Sequence, residues 1–287
     1  MLGHELLVKN FKRLADGDKL SHGYVFFGPK GVGKRIFALG FANYLEKKEF
    51  SFDEDSHKIL GDLLFISRGE ESSLGIDQVR ALKNFLSQRP NQSLRRTAII
   101  DESEFLTSEA ENALLKITEE PPTSSLLILI AREPEMLTAT LSSRLQKIYF
   151  SPVKNSEIEN WLVKEFSVNG EKAEELANRS FGIPGLARRL LEDEKLAVLL
   201  KEAVKFLKVK DTERGSFIKE LVSHEDFKIL EFLDAVIMVL AQELRIRQAL
   251  DEKNFVLWHQ ILELRRNVSF FPLNPRLQIM NLMTHDR

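Results

Sequence analysis

The chain has 287 residues, of which 43% are hydrophobic and 29% charged, with a formal net charge of −2 and no cysteine. This composition predicts a folded chain of two or three domains and gives no overall sign of a nucleic-acid-binding surface. Without cysteine, disulfides and thiolate metal sites are excluded, and zinc is not expected. No signal-peptide pattern or membrane-length apolar run is present, so we expect a cytoplasmic protein that does not enter a membrane.

The first half of the chain alternates between helix and strand patterns. An amphipathic helix is predicted from His4 to the polar stretch that starts at Asp16, because Leu6, Leu7, Phe11 and Leu14 share one face. Short apolar runs then predict five strands, at 24–27, 63–67, 97–102, 126–131 and 147–150. Alternation at this spacing predicts an α/β domain with a largely parallel sheet, ending near residue 153.

Helices are predicted between these strands. They start near Lys34 and Asp77 and after Thr107, a residue type that commonly caps a helix N-terminus. Residues 46–62 are polar and charged, which predicts an exposed connector. Beyond residue 153 the strand signals stop, and only helical patterns follow, including one at 274–283.

The sequence FGPKGVGKR lies between the first predicted strand and a predicted helix. It matches the phosphate-loop pattern G-x-x-x-x-G-K-[S/T] except at the last position, and strand–loop–helix is the context in which that pattern binds phosphate. The predicted nucleotide-binding residues are Gly28, Pro29, Lys30, Gly31, Val32, Gly33, Lys34 and Arg35. Arg35 stands where a hydroxyl would bind Mg²⁺, and a guanidinium cannot coordinate a metal ion. A glycine-rich turn without a ligand is the alternative interpretation.

Two carboxylates, Asp101 and Glu102, end the third predicted strand. Ligands of such folds bind at the carboxyl edge of the sheet, where Asp101 would hold the Mg²⁺ shell and Glu102 would act as a base toward water. An acidic helix start is the alternative interpretation of this pair. Ala131 ends the fourth strand, where a polar side chain would be needed to sense a γ-phosphate. Taken alone, Arg144 reads as an ordinary surface arginine.

Four segments together resemble the clamp-loader branch of the AAA+ superfamily, and within it the delta-prime subunits of bacterial DNA polymerase III. The segments are LSHGYVFFGPKGVGK, GIDQVRALKNFLSQRP, DESEFLTSEAENALLKITEEPP and AREPEMLTATLSSRLQKIYF. The resemblance implies an AAA+ α/β nucleotide-binding core over 1–153, a helical lid over 154–200 and an all-helical collar for oligomerisation over 201–287.

The resemblance also implies a role in DNA replication. The implied partners are gamma/tau-type and delta-type clamp-loader subunits, the sliding clamp, and primer–template DNA within the assembled loader. Ser143, Arg144 and Leu145 match the family's Ser-Arg-Cys motif, whose arginine reaches into a neighbouring subunit's ATP site. This match replaces the surface interpretation of Arg144 with that of an arginine finger acting in trans.

The sequence departs from the family at several positions. Arg35 and Ala131 replace the metal-binding hydroxyl and the polar sensor, and Gly185 stands where motor subunits carry a second sensor arginine, with Arg188 and Arg189 one turn further on. We therefore expect ATP or ADP at a degenerate site, poor Mg²⁺ binding, and weak or absent hydrolysis. The family's four-cysteine zinc module is missing.

Two other functions compete with this interpretation. One is a hydrolysis-competent gamma/tau-like motor subunit, which retention of Glu102 favours. The other is an AAA+ factor outside replication, such as a branch-migration motor, which the clamp-loader segments disfavour. Candidate DNA-contacting residues are Arg89, Arg95, Arg96 and Lys116.

Overall fold

We describe a computed structural model of the chain, which covers residues 1–52, 59–223, 227–247 and 252–270. The strands are β1 (Gly23–Phe27), β2 (Leu63–Ile66), β3 (Arg96–Ile100), β4 (Ser125–Ala131) and β5 (Gln146–Tyr149). The helices up to residue 192 are α1 (Glu5–Asp16), α2 (Lys34–Lys47), α3 (Ile76–Leu86), α4 (Ser108–Glu119), α5 (Ala139–Ser142), α6 (Asn155–Phe166), α7 (Gly170–Arg179) and α8 (Pro184–Glu192). They are followed by α9 (Glu194–Lys208), α10 (Asp211–Ser223), α11 (Ile229–Arg247) and α12 (Glu252–Phe270).

The five strands form one parallel sheet in the order β2-β3-β4-β1-β5. All five predicted strands are present, and the predicted α/β class with a parallel sheet is confirmed. Strands β3 and β4 are buried along their whole length, which explains why they read as continuous apolar runs. Because all strands are parallel, the loops after β1, β3 and β4 leave from the same edge of the sheet.

Each face of the sheet is covered by its own hydrophobic core. Alternate residues of β1 point to opposite faces, so Tyr24 and Phe26 join one cluster and Val25 joins the other. The first cluster is rich in aromatic rings, with Phe11 packed edge-on against Phe26, Phe37 and Phe41 at centroid distances of 5.0–5.6 Å. The second is mainly aliphatic and includes residues of α3, α4 and α5.

The chain divides into two compact units, Met1–Ala187 and Arg188–Arg287. The three-domain division drawn from the sequence stays a prediction. In the second unit the described elements are helical, and Phe206, Phe232 and Leu240 are buried in it, whereas Phe255 is largely exposed. The helix predicted at 274–283 lies outside the described residues. In the part of the chain that the structure covers, no helix has the length and apolar character needed to span a membrane.

The prediction that the connector at 46–62 is exposed is wrong for its last residues. Leu60 and Asp62 are buried rather than exposed. Asp62 accepts hydrogen bonds from the backbone N–H groups of Asn91, Gln92 and Ser93 at 2.7–3.0 Å. These bonds hold the loop before β3, and they hold the pKa of Asp62 below its usual value although burial alone would raise it. Residues 53–58 of the connector lie outside the described part of the chain.

Candidate nucleotide site and arginine corner

The glycine loop joins the end of β1 to the first residue of α2, as the sequence predicts. Gly28, Gly31 and Gly33 have φ values of 137°, 85° and 112°, in the region that side chains other than glycine rarely adopt. At Gly28 a Cβ atom would also collide with the carbonyl oxygen of Phe150. These three glycines therefore permit a loop backbone that other residues would strain.

Lys34 is turned into its own loop. Its side chain is buried, with only 7% of the residue exposed. The ammonium donates hydrogen bonds to the carbonyl oxygens of Gly28 and Pro29, the latter at 2.9 Å. Burial lowers the pKa of Lys34 to about 8, while the nearby carboxylates of Glu104 and Asp101 partly oppose that shift. The cation that would bind a terminal phosphate is thus hydrogen-bonded to backbone carbonyl oxygens of its own loop.

Arg35 lies beside Asp101 at the edge of the sheet. Its Nη1 atom is 3.8 Å from Oδ2 of Asp101, and its guanidinium carbon is 4.8 Å from the centroid of the Phe65 ring. Burial raises the pKa of Asp101, although the backbone N–H of Glu102 and the charge of Arg35 oppose the shift. A Mg²⁺ ion does not fit this arrangement, because a guanidinium made only of donors faces the carboxylate that would hold it.

Glu102, the candidate base, is held between two cations. Its backbone adopts a left-handed conformation with φ 51°. Its Oε1 atom is 3.3 Å from Nζ of Lys30, and its Oε2 atom is 3.7 Å from Nε of Arg68, whose guanidinium stacks on Phe105. The structure brings Glu102 to the loop, but its role as a base remains a prediction.

Sequence reasoning missed a further ion pair at this edge. Arg132 follows Ala131, the buried end of β4, and its Nε atom is 3.5 Å from Oε1 of Glu104. The backbone carbonyl of Arg132 also accepts a hydrogen bond from the N–H of Gly28 at 3.0 Å. The signal was available, since a residue directly after a parallel strand lies at the same edge as the glycine loop.

Two neighbouring segments cover the loop. The Nε2–H group of His4 donates to the carbonyl oxygen of Val32 at 3.1 Å, and burial lowers the pKa of His4. The N–H of Gly185, in the first turn of α8, donates to the carbonyl oxygen of Gly31 at 3.0 Å. A Cβ atom at Gly185 would lie 2.9 Å from that oxygen, so the residue at the sensor position has to be small for this contact.

The two arginines considered as substitutes for the missing sensor have acidic partners on their own helical segment. Arg188 pairs with Glu192 at 2.9 Å and Arg189 with Asp193 at 3.1 Å, both four residues apart. These are exposed pairs of the kind that stabilise a helix by a few tenths of a kcal/mol, about 0.3–0.5.

Arg144 follows the short helix α5 and lies away from the interior of the fold. Its side chain is 33% exposed. Its Nη2 atom donates to Oε1 of Glu119 at 2.8 Å, and its Nη1 atom donates to the carbonyl oxygen of Thr140 at 2.6 Å. Two acceptors therefore orient the Arg144 side chain at the surface, and the side chain is not buried in the core. We call Arg144, Glu119 and Thr140 the arginine corner.

Two of the four candidate DNA-contacting residues have partners within the chain. Arg96 is buried, lies 3.9 Å from Asp62, and stacks on Phe85. Arg95 pairs with Asp18 at 3.1 Å. Arg96 is thus part of the structure before β3 and is not available to a phosphate backbone.

A family model described as "DNA polymerase III, delta subunit" matches residues 3–154, which include the whole sheet, the glycine loop and the arginine corner. The chain belongs to the DNA polymerase III delta-subunit family. This membership confirms the clamp-loader resemblance drawn from the sequence.

Curated proteins similar to this chain include delta-prime subunits and tau or gamma/tau subunits. It is 28% identical to the delta-prime subunit of Bacillus subtilis over 214 residues, which span 69% of this chain and 62% of the relative. It is 30% identical to the tau subunit of the same organism over 168 residues, which span 55% of this chain and 30% of the relative. The matches thus cover between about a third and two thirds of the relatives' own lengths.

A solved structure shares the fold. The gamma-subunit-related protein of Thermotoga maritima superposes with a TM-score of 0.59 and 21% identity, covering 96% of this chain and 97% of that one. At this identity the similarity concerns the fold alone. It agrees with the predicted AAA+-type architecture.

Proposed function

We propose that this chain is a delta-prime-like subunit of the DNA polymerase III clamp loader in DNA replication. In this proposal it scaffolds the loader ring, does not turn over ATP at its own loop, and donates Arg144 to the ATP site of a neighbouring gamma/tau-type subunit. Family membership supports the clamp-loader role. The proposed partners are gamma/tau-type and delta-type subunits, the sliding clamp, and primer–template DNA bound by the assembled ring.

The observation that carries the proposal is the 3.8 Å approach of Arg35 to Asp101. Phosphoryl transfer in phosphate-loop enzymes relies on a Mg²⁺ ion held by the loop hydroxyl and by a carboxylate at the end of a strand. Here the hydroxyl is replaced by a cation, and that cation is directed at the carboxylate. While the guanidinium of Arg35 lies beside Asp101, a Mg²⁺ ion cannot bind in the same place.

The state of Lys34 supports the same conclusion. Its ammonium would have to leave the carbonyl oxygens of Gly28 and Pro29 before it could reach a phosphate. The loop residues Gly28–Arg35 could still hold the phosphates of ATP or ADP after that change, with loop N–H groups as donors. Binding without productive hydrolysis is therefore part of the proposal, and Glu102 has no step assigned to it.

Arg144 is proposed to act on a neighbour. An arginine finger stabilises the negative charge that develops on the transferred phosphoryl group, and such residues contribute about 10³–10⁵-fold to kcat. The guanidinium is partly exposed and is anchored on the fold by Glu119 and Thr140. A finger needs both properties, because it has to be oriented in advance and still be reachable by another chain.

The second candidate function is a hydrolysis-competent gamma/tau-like motor subunit. The 30% identity to a tau subunit and the presence of Glu102 and Lys34 at the loop favour it. It requires Arg35 to swing away from Asp101 and a metal ion to enter. The two candidates make opposite predictions about which residue of this chain matters for ATP turnover.

The test is ATP hydrolysis by the complex of this chain with gamma/tau-type and delta-type subunits, measured with clamp and primed DNA. Arg144→Ala should slow the single site that faces it by about 10³-fold or more, so that the fast phase of hydrolysis loses the amplitude of one site. Lys34→Ala should leave that amplitude unchanged within about twofold. The reverse pattern would favour the motor subunit and refute the proposal.

A further inference from the structure

The acceptors around Arg144 come from two different elements. Glu119 is the last residue of α4, and Thr140 belongs to α5. Glu119 is 25 positions from Arg144 in the chain, and its Oε1 atom accepts the 2.8 Å hydrogen bond from Nη2. The contact therefore depends on how these two helices are held relative to each other.

The two helices are held by a common core. Leu114 and Ile117 of α4 and Leu141 and Leu145 around α5 are buried in the same hydrophobic cluster. Helix α4 is also fixed at its N-terminus, where the side chain of Thr107 accepts a hydrogen bond from the N–H of Ala110, as predicted. Pro121 and Pro122 directly follow the helix and Glu120, which limits how far it can extend. Glu119 thus projects from a fixed point.

The geometry leaves part of the guanidinium for another ligand. An arginine side chain carries five N–H donors, and the two acceptors at the corner engage one donor on each of two nitrogens. The remaining donors allow the same guanidinium to contact a phosphate without first leaving Glu119. Glu119 itself would not touch the phosphate or the reacting atoms.

We propose that Glu119 is a positioning residue for Arg144, holding the guanidinium in its functional orientation before a neighbouring subunit's nucleotide arrives. This inference rests on the proposed function of Arg144 in trans. Arginine is long and loses much rotamer freedom when it is fixed, so an acceptor that orders it in the free chain reduces the loss at the moment of catalysis. The carboxylate also weakens the positive potential at the corner, so an electrostatic role alone would make Glu119 inhibitory.

The test compares Glu119→Ala and Glu119→Gln in the full complex, each with and without Arg144→Ala. Glu119→Ala should lower kcat at the facing site by about two- to fivefold, the range expected for an exposed ion pair, with KM for ATP unchanged. Glu119→Gln retains a carbonyl acceptor and should lie between Glu119→Ala and wild type. Neither change should have an effect in the Arg144→Ala background, because Glu119 acts only through Arg144.

Glu120→Ala is the matched control. Its carboxylate is adjacent in the chain and exposed, and within the described residues its side chain forms no ion pair with Arg144. This variant should leave kcat unchanged. An equal loss from Glu120→Ala would mean that the loss does not depend on the hydrogen bond to Arg144, and it would contradict the positioning role.

Three results would overturn the inference. They are a Glu119→Ala rate equal to or above that of wild type, an equal loss in the Arg144→Ala background, and unchanged mobility of the Arg144 guanidinium when Glu119 is replaced. Guanidinium ¹⁵N NMR of the isolated full chain measures that mobility without ATP, and we expect faster rotation in Glu119→Ala. If Arg144→Ala itself leaves turnover unchanged, the proposed function fails and this inference with it, whereas the NMR result still reports on the ion pair.

Discussion

The glycine loop and the arginine corner both carry cations suited to phosphate, but they use them in opposite ways. In the loop, Lys34 is buried against backbone carbonyls and Arg35 faces Asp101. At the corner, Arg144 is partly exposed and keeps donors beyond those that Glu119 and Thr140 engage. A sequence motif shows which cationic side chains are present at a nucleotide site. The hydrogen-bond and ion-pair partners of those side chains decide whether the cations are available to a ligand.

The two regions also differ in the free energy that it costs to break their present contacts. A buried charge such as that of Lys34 is costly unless its hydrogen bonds are satisfied, so its contacts with the loop are part of the stability of the fold. The exposed pair at Arg144 contributes at most about 1 kcal/mol. The corner can therefore change partners at little cost, and the loop cannot.

The largest expected effect concerns the shape of the finger. Arg144→Lys keeps the charge but removes the planar fork that binds two acceptors and a phosphate together. We expect turnover at the facing site to fall by about 100-fold or more, which is a large part of the loss expected for Arg144→Ala. Arg188→Lys, which changes another exposed arginine paired to a carboxylate, should leave turnover unchanged in the same assay. Full activity of Arg144→Lys would mean that the arginine corner needs only a positive charge and not the planar guanidinium.

A second prediction concerns the cover of the loop. Gly185→Ala places a Cβ atom 2.9 Å from the carbonyl oxygen and 3.0 Å from Cα of Gly31, so the first turn of α8 must move away from the loop. Urea unfolding should show a loss of about 1–3 kcal/mol. Gly170→Ala is the control, because a Cβ atom there meets nothing within 4 Å, and it should be neutral or slightly stabilising. Equal behaviour of the two variants would contradict the described contact.

A third prediction follows from the lowered pKa of Lys34. Its pKa is about 8 in the folded chain, against an ordinary lysine value of 10.5. Between these values the unfolded chain binds the proton and the folded chain does not, so stability rises with pH across this window. Wild type should therefore gain about 1–3 kcal/mol relative to Lys34→Met between pH 8 and 10.5 in urea unfolding. A difference between wild type and Lys34→Met that stays flat across this window would mean that the ammonium is not buried.

The smallest effect is expected at Arg35. Arg35→Thr restores a hydroxyl and removes the exposed ion pair with Asp101, which should change stability by less than about 1 kcal/mol. ADP binding by the isolated chain should then become stronger in Mg²⁺ than in EDTA by about three- to tenfold, because Asp101 is free to join a metal shell. Wild type should show no such dependence. Strong magnesium dependence in wild type would show that Arg35 does not keep the metal out.

Much of the fold could be predicted because its signals are local. The five strands are short apolar runs, the cap at Thr107 is a single residue type at a helix start, and the glycine loop is contiguous. The burial of Leu60 and Asp62 could not be predicted, because the partners of Asp62 come from a loop about 30 residues later. The local sequence shows that residues 46–62 are polar, but only the tertiary fold shows which groups these polar side chains contact.

The same limit applies to the site. Sequence placed Lys34, Arg35 and Asp101 at one edge of the sheet and left open which way Arg35 points. The answer depends on a contact between residues 66 positions apart and on stacking with Phe65. Glu119 carried no signal of its own, because its partner is on another element, whereas Arg132 could have been found from its position directly after β4.

The most direct measurement uses a complex in which every other subunit with a phosphate-loop lysine has lost it, so that this chain holds the only intact loop lysine. ATP turnover is measured with clamp and primed DNA, with wild-type Lys34 and with Lys34→Ala. We predict no turnover above background in either complex, because the loop of this chain supplies no hydrolysis. Residual turnover that disappears with Lys34→Ala would contradict the account and identify this chain as a working motor.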